Sequence, residues 1–398
     1  MKSVLNVLIS IGLLSLFSCV ENNQEGKMIT VKNSLDMDRE FETIELSIKD
    51  LGLTDTDSLG QYSIQNPETK EALTTQTVDS DSDGNADVLL FQPKVKANSE
   101  TSFQLVKGNP SAEAKKEEDT VAACYSRFVP ERIDDYAWEN NRVGFRTYGP
   151  EAQQIVEDSM PGGTLSSGID AWLKRVDYPI INKWYKKAEE GTGTYHEDTG
   201  EGLDNFHVGA SRGVGGVAVK VDTTYYYSKN FVTHKRITTG PLRTSFVLTY
   251  ADWDANGKTI TEEKHISLDY GSNLSRFEVH VTGTDTVSTG LTLHEQKGTE
   301  ETKPEQGYIS YWEPLDDSEI GMGIVVPDGS MAGVENYITT KTDESNLYAH
   351  LKVSDGKVLY YAGFGWKKSG QFKTKEDWNE YLRLFAKKIN NPLTVEIN

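Results

Sequence analysis

"RTSFVLTYADW" (residues 243–253) and "LSRFEVHVTG" (residues 274–283) set apolar side chains at alternate positions, through Phe246, Leu248 and Tyr250 and through Phe277, Val279 and Val281. Successive side chains of a strand point to opposite faces, so this alternation predicts strands with one face in a core. Runs of the same kind surround them: VAVKVDTTYYY (217–227), FVTHKRITTG (231–240), HISLDY (265–270), GLTLHEQ (290–296), IGMGIVVP (320–327), YAHLKV (348–353) and VLYYAGFGW (358–366). No period of roughly 40 to 50 residues repeats, which argues against a propeller and for a large antiparallel sandwich over residues 121–398. Upstream, residues 28–46, 61–64 and 102–106 are short β-type runs and predict a small sandwich over 28–107. Between the two lies an apolar-poor, charged segment, 108–120, read as a linker or loop. One helix is predicted at 375–388, with Trp378, Leu382 and Phe385 on one face. The expected class is mainly β with few helices.

The N-terminus predicts an export route. Lys2 precedes an apolar run at 4–17 that is too short to span a bilayer, and "LFSC" ends at Cys19 as a bacterial lipobox does. Residues 1–19 therefore read as a lipoprotein signal with Cys19 lipidated, and 20–27 as a polar tether. The predicted location is the cell envelope, lipid-anchored at the outer membrane, with the acyl chains as the sole membrane contact. The other cysteine, Cys124, has no partner, so stability must come from burial rather than disulfides. The net charge of −20 argues against nucleic acid, which needs a basic face.

Four stretches carry candidate chemistry. In DSDSDGNAD, Asp79, Asp81, Asp83 and Asp87 alternate ahead of or around Gly84 as in the start of a calcium loop, yet the twelfth position is Leu90. Either a calcium-stapled hairpin or an acidic Asx-turn fits, structural in both cases. WLKRVDYPIINKWYKK (172–187) reverses the charge of the chain, joining Lys174 and Arg175 to Trp172, Tyr178 and Trp184. Aromatic faces stack on sugars and cations pair with carboxylate or sulfate, so an anionic glycan site is expected there, against a solvated loop with aromatic core anchors. Pro179 excludes one continuous helix. YHEDTGEGLDNFHVGASRGVGG (195–216) follows. His196 and His207 suit acid–base chemistry, with Tyr195 as a further candidate, and Arg212 suits a carboxylate clamp. A zinc set from the two histidines with Asp198, Glu201 or Asp204 matches no familiar spacing. RFVPERIDDYAWENNRVGFRTY (127–148) mixes Arg146 and other arginines with acids, as a glycosidase carboxylate pair or as surface ion pairs. The remaining histidines, 234, 265, 280, 294 and 350, sit in strand patterns.

The blocks 129–150, 167–185, 195–216 and 360–372, together with the Asp-rich hairpin, resemble a Bacteroidota lipoprotein family of polysaccharide-utilisation clusters, formerly of unknown function. The late strands also resemble the supersandwich of galactose-mutarotase-like proteins and several polysaccharide lyases. The family resemblance implies an ulvan oligosaccharide dehydratase, which removes water from a non-reducing-end uronate and leaves a 4,5-unsaturated end. It implies an anionic, sulfated oligosaccharide partner and no required cofactor. It raises His207 and Arg212 above His196 and Tyr195 as catalytic candidates, with Arg146 and the basic aromatic stretch as binding residues. Rival readings are a polysaccharide lyase or glycoside hydrolase on the same glycans, and a surface glycan-binding lipoprotein without catalysis.

Overall fold

The computed structural model describes residues 26–54, 58–108 and 121–398. The expected signal segment with Cys19, the tether up to residue 25 and the linker from residue 109 lie outside the described residues. The fold is mainly β and antiparallel. Arg243–Tyr250 alternates buried and half-buried side chains along its whole length. It belongs to a nine-stranded sheet running Phe231–Thr238, Arg243–Tyr250, Lys258–Asp269, Leu274–Thr282, Lys357–Trp366, Ser318–Val325, Tyr308–Leu315 and Thr299–Lys303, with Trp253–Ala255 paired to Lys258–Asp269. A five-stranded sheet holds Thr224–Tyr226, Val214–Val221, Thr286–Thr292, Asn346–Lys352 and Met331–Tyr337. A second five-stranded sheet holds Gly202–Leu203, Asp170–Lys174, Gly144–Thr147, Asp135–Glu139 and Tyr125–Val129. One continuous core, including Trp138, Phe145, Val217, Phe246, Phe277 and Tyr360, joins all three. Each such side chain contributes about 1.5–3 kcal/mol by leaving water.

The small module has two sheets around Ile29, Val31, Leu46, Ile64, Leu89 and Phe103. Its limit at residue 107, expected from sequence, omits its closing strand. Thr394–Ile397 pairs antiparallel with Met28–Asn33, Val395 opposite Val31. That pairing covers what would otherwise be an open sheet edge, and sequence patterning cannot reveal a partner so far along the chain.

Three helices decorate the sheets: α1 (Pro150–Glu157), α2 (Ile181–Glu189) and α3 (Lys375–Asn390). Pro179 does interrupt residues 172–187, parting the strand Asp170–Lys174 from α2. Helix α3 starts at a capping box of Thr374 and Asp377 and buries Trp378 and Leu382. It lies close on the sheet because Gly321 and Gly323 stand beneath it. A β-carbon on Gly323 would meet Leu382 Cδ1 at 2.6 Å.

Candidate active site

Strand register assembles the first half of the site. Arg146 lies opposite Ala137 on one side and Asp170 on the other. Asp135, two residues before Ala137, therefore points to the same face. From the loop after Tyr195, Asp204 reaches in. Arg146 Nη2 is 2.6 Å from Asp170 Oδ2 and 2.8 Å from Asp204 Oδ2, with Asp135 Oδ2 3.7 Å from Nη1. The guanidinium also lies 5.2 Å from the Trp172 ring centroid and 5.3 Å from that of Tyr148. Three carboxyls crowd one buried cation. Burial pushes Asp170 up to about 7, reinforced by the Asp204 charge, and pushes Asp135 up to about 6. Asp204 is raised for the same first reason, burial. Near neutral pH the cluster shares a proton, and its carboxyls still match or outnumber the one guanidinium.

The second half is an open cavity of about 510 Å³ lined by Arg146, Tyr148, His196, Asp204, Phe206 and His207 among others. His196 Nδ1 lies 2.6 Å from the Asp204 carbonyl oxygen. A carbonyl only accepts, so Nδ1 carries the proton and neutral His196 keeps its lone pair on Nε2. His207 Nε2 lies 2.8 Å from Asp343 Oδ2, which leaves Nδ1 of that ring outside the pairing. Both imidazoles are exposed. His294 braces the loop from beneath: its Nε2 donates to the His207 carbonyl at 2.8 Å and its Nδ1 to Glu313. Both partners accept only, so His294 is an imidazolium. Burial opposes that charge, but the Glu313 contact outweighs it and raises the pKa.

The family described as Domain of unknown function (DUF4861) matches residues 31–395. The chain belongs to the DUF4861 family. Uncharacterized protein P7 of Formosa agariphila is 59% identical over 399 residues and is matched over 100% of both chains. Among solved structures, a protein in the glycosyl hydrolase family 38 from Enterococcus faecalis is similar at a TM-score of 0.52 and 10% identity, over 94% of this chain and 48% of that one. An alpha-mannosidase from Enterococcus faecalis V583 is similar at a TM-score of 0.50 and 10% identity, over 94% and 46%. This DUF4861 chain spans about half the length of those solved chains, and the likeness is one of fold.

Of the residues singled out in sequence, the DUF4861 cavity brings together His196, His207 and Arg146. It does not take in Arg212. That side chain is wholly buried, bonds to Ser167 Oγ and to the carbonyls of Val217 and Ala210, and stacks 3.9 Å from the Tyr227 centroid. Arg212 is therefore a brace of the turn, not a clamp in the cavity. Tyr195 is also buried, packed on Trp172 and accepting a bond from Arg132 Nε at 3.3 Å.

The basic aromatic stretch is corrected as well. Trp172 and Trp184 are buried core anchors, and Lys174 is wholly buried against Glu139 at 2.7 Å. Arg175 pairs with Asp198 at 3.0 Å, and Tyr178, though 46% exposed, donates to Glu201 at 2.6 Å. Lys183 and Lys186 likewise pair, at the surface, with Glu201 and Glu190. Residues 127–148 give both kinds of pair: Arg127 and Glu131 meet at the surface, while Asp135, Glu139 and Arg146 are buried. The acids singled out there are otherwise engaged: Glu139 accepts from Lys174 and from the backbone N–H of Ile180 and Ile181, and Asp135 accepts from Tyr185. Sequence reading missed Tyr148, Asp170 and His294; only the pairing register could have found the first two.

The Asp-rich hairpin is an Asx-turn around Asp79, which accepts from the backbone of Ser82, Asp83 and Gly84. Asp79, Asp81 and Asp83 bring carboxyl oxygens within 4.8 Å of one another. Asp87 is held by Ser80 instead. Among the described residues Asp87 stands outside that trio, so the four aspartates do not converge as one ligand set.

Proposed function

We propose that this protein is a carbohydrate-active enzyme working by acid–base elimination. The reading is a dehydratase that removes water from the non-reducing-end uronate of ulvan-type, sulfated oligosaccharides. One observation carries it: His196 and His207, each with one ring nitrogen pinned and the other left over, wall the same cavity as Arg146.

Taking the proton α to a uronate carboxylate requires that the developing enolate-like charge be met by a cation. Arg146 is the cation on the cavity wall, and its buried Nη1 has no hydrogen-bond partner among the described residues. His196, with its lone pair on Nε2, takes the C5 proton. His207, held through Nε2 by Asp343 and protonated on Nδ1, gives that Nδ1 proton to the departing C4 hydroxyl. Asp343 and His294 are positioning residues for His207.

The same reading places the chain in the cell envelope, anchored through lipidated Cys19, with an anionic oligosaccharide as partner and no nucleic acid. Among the described residues no helix is long and apolar enough to cross a membrane. Mass spectrometry of a saturated, uronate-ended oligosaccharide tests the reaction. Loss of one water from an unshortened chain is expected; shorter chains would mean a lyase or hydrolase, and an unchanged mass would mean a binding protein.

A further inference from the structure

The nine-stranded sheet carries a second cluster of titratable side chains. On its outer face Glu263 stands opposite His280, and His265 opposite Glu278, on the adjacent strands Lys258–Asp269 and Leu274–Thr282. Their neighbours Ile266, Leu268, Val279 and Val281 turn inward to the core, so the four polar side chains share the solvent side. The two imidazoles stack with centroids 4.4 Å apart at an interplanar angle of 23°. One donor atom each from Glu263, His265 and His280 lies within 4.8 Å of the other two.

We propose that Glu263, His265 and His280 form a binding site for a divalent transition metal of the zinc class. Two imidazoles and a carboxylate are the donor set of a zinc site that keeps its fourth position open. With bonds of about 2.0–2.2 Å, tetrahedral ligand atoms sit roughly 3.3–3.5 Å apart. The half-exposed side chains close the remaining gap by small rotations about χ1 and χ2.

The surroundings suit ligands rather than bystanders. His280 Nε2 is 3.0 Å from Glu278 Oε1, the carboxylate–imidazole contact that fixes a metal-binding ring. Glu278 is itself held by Arg276 Nη2 at 2.8 Å and Lys357 Nζ at 3.1 Å. At present His265 Nε2 contacts Glu263 Oε1 at 2.7 Å; a metal on that nitrogen requires the ring proton to sit on Nδ1. Glu263 and His265 also line the cavity of about 670 Å³ between the small module and the sheet, so the open position faces a space with room for water or a ligand. No sequence signature flagged the trio, because fifteen residues and a turn separate the two histidines and only the register aligns them.

The test is calorimetric titration of the full, untagged chain with zinc chloride after chelator dialysis, repeated with cobalt(II) and read by visible absorbance. One zinc per chain and the intense bands of tetrahedral cobalt are expected. His265→Asn and His280→Asn should each abolish stoichiometric binding, and Glu278→Gln should weaken it about 10- to 100-fold. His234→Asn, on the wall of the same cavity, should leave it unchanged, with circular dichroism confirming that each variant is folded. No zinc bound by the wild type, or equal binding after His265 and His280 are both replaced, would overturn the proposal.

Discussion

Replacing Asp170 by asparagine should flatten the pH dependence of stability. In the folded chain burial and the neighbouring Asp204 raise Asp170 from the ordinary 3.8 to about 7. Between those values the folded state keeps a proton that the unfolded chain has released. Stability must therefore fall as pH rises through that window, by up to about 1.4 kcal/mol per pH unit for one proton. The whole span of some three units corresponds to roughly 4 kcal/mol. Asparagine resembles the protonated acid in size and cannot ionise, so it removes this loss while keeping an oxygen for Arg146 and Tyr148. Urea unfolding from pH 5 to 8 reads the difference directly. The wild type should weaken with rising pH relative to Asp170→Asn, the gap widening to a few kcal/mol at pH 8. Parallel curves for the two proteins would refute the claim that this carboxyl is buried with a proton on it.

His196→Gln and His207→Gln should each lower kcat by about 10² to 10⁴ while leaving thermal unfolding nearly unchanged, since both rings are exposed. His294 has a pKa raised above 6.5, so its stabilisation is full below that value and is lost as pH rises through the folded pKa; hydrogen exchange in residues 205–210 should quicken there, and His294→Gln should show the fast rate throughout. Lys174→Met leaves the Glu139 charge buried without its cation and should cost about 3–5 kcal/mol in urea melts. Arg175→Ala with Lys183→Ala removes exposed charges already paired with Asp198 and Glu201, so KM for an anionic oligosaccharide should change less than about twofold, as expected of surface ion pairs.

The class of fold was legible because alternation at residues 243–250 and 274–282 is a local property of strands. Helix α3 was legible from its apolar face, and Pro179 from its missing N–H. The closing strand at Thr394–Ile397 was not, since nothing local names a partner more than 360 residues away. The loop at 195–216 sets His196 and His207 on one cavity and buries Tyr195 and Arg212. Arg212 looked like a free cation and is packed on Tyr227; Trp172 and Trp184 looked like sugar platforms and fill a core. Composition reports which side chains are near in sequence, whereas burial and partnering decide which are free to act. Arg146 acquired its three aspartates from two strands and a loop, a convergence that only pairing register can display.

The measurement closest to the heart of this account is imidazole NMR of the ¹⁵N-histidine-labelled chain during titration with a saturated, uronate-ended oligosaccharide. If the cavity between His196 and His207 is the site, the ring resonances of those two residues move together and saturate, and those of His234, His265, His280 and His350 stay in place. Shifts confined to the strand-face histidines, or none at saturating ligand, would contradict it.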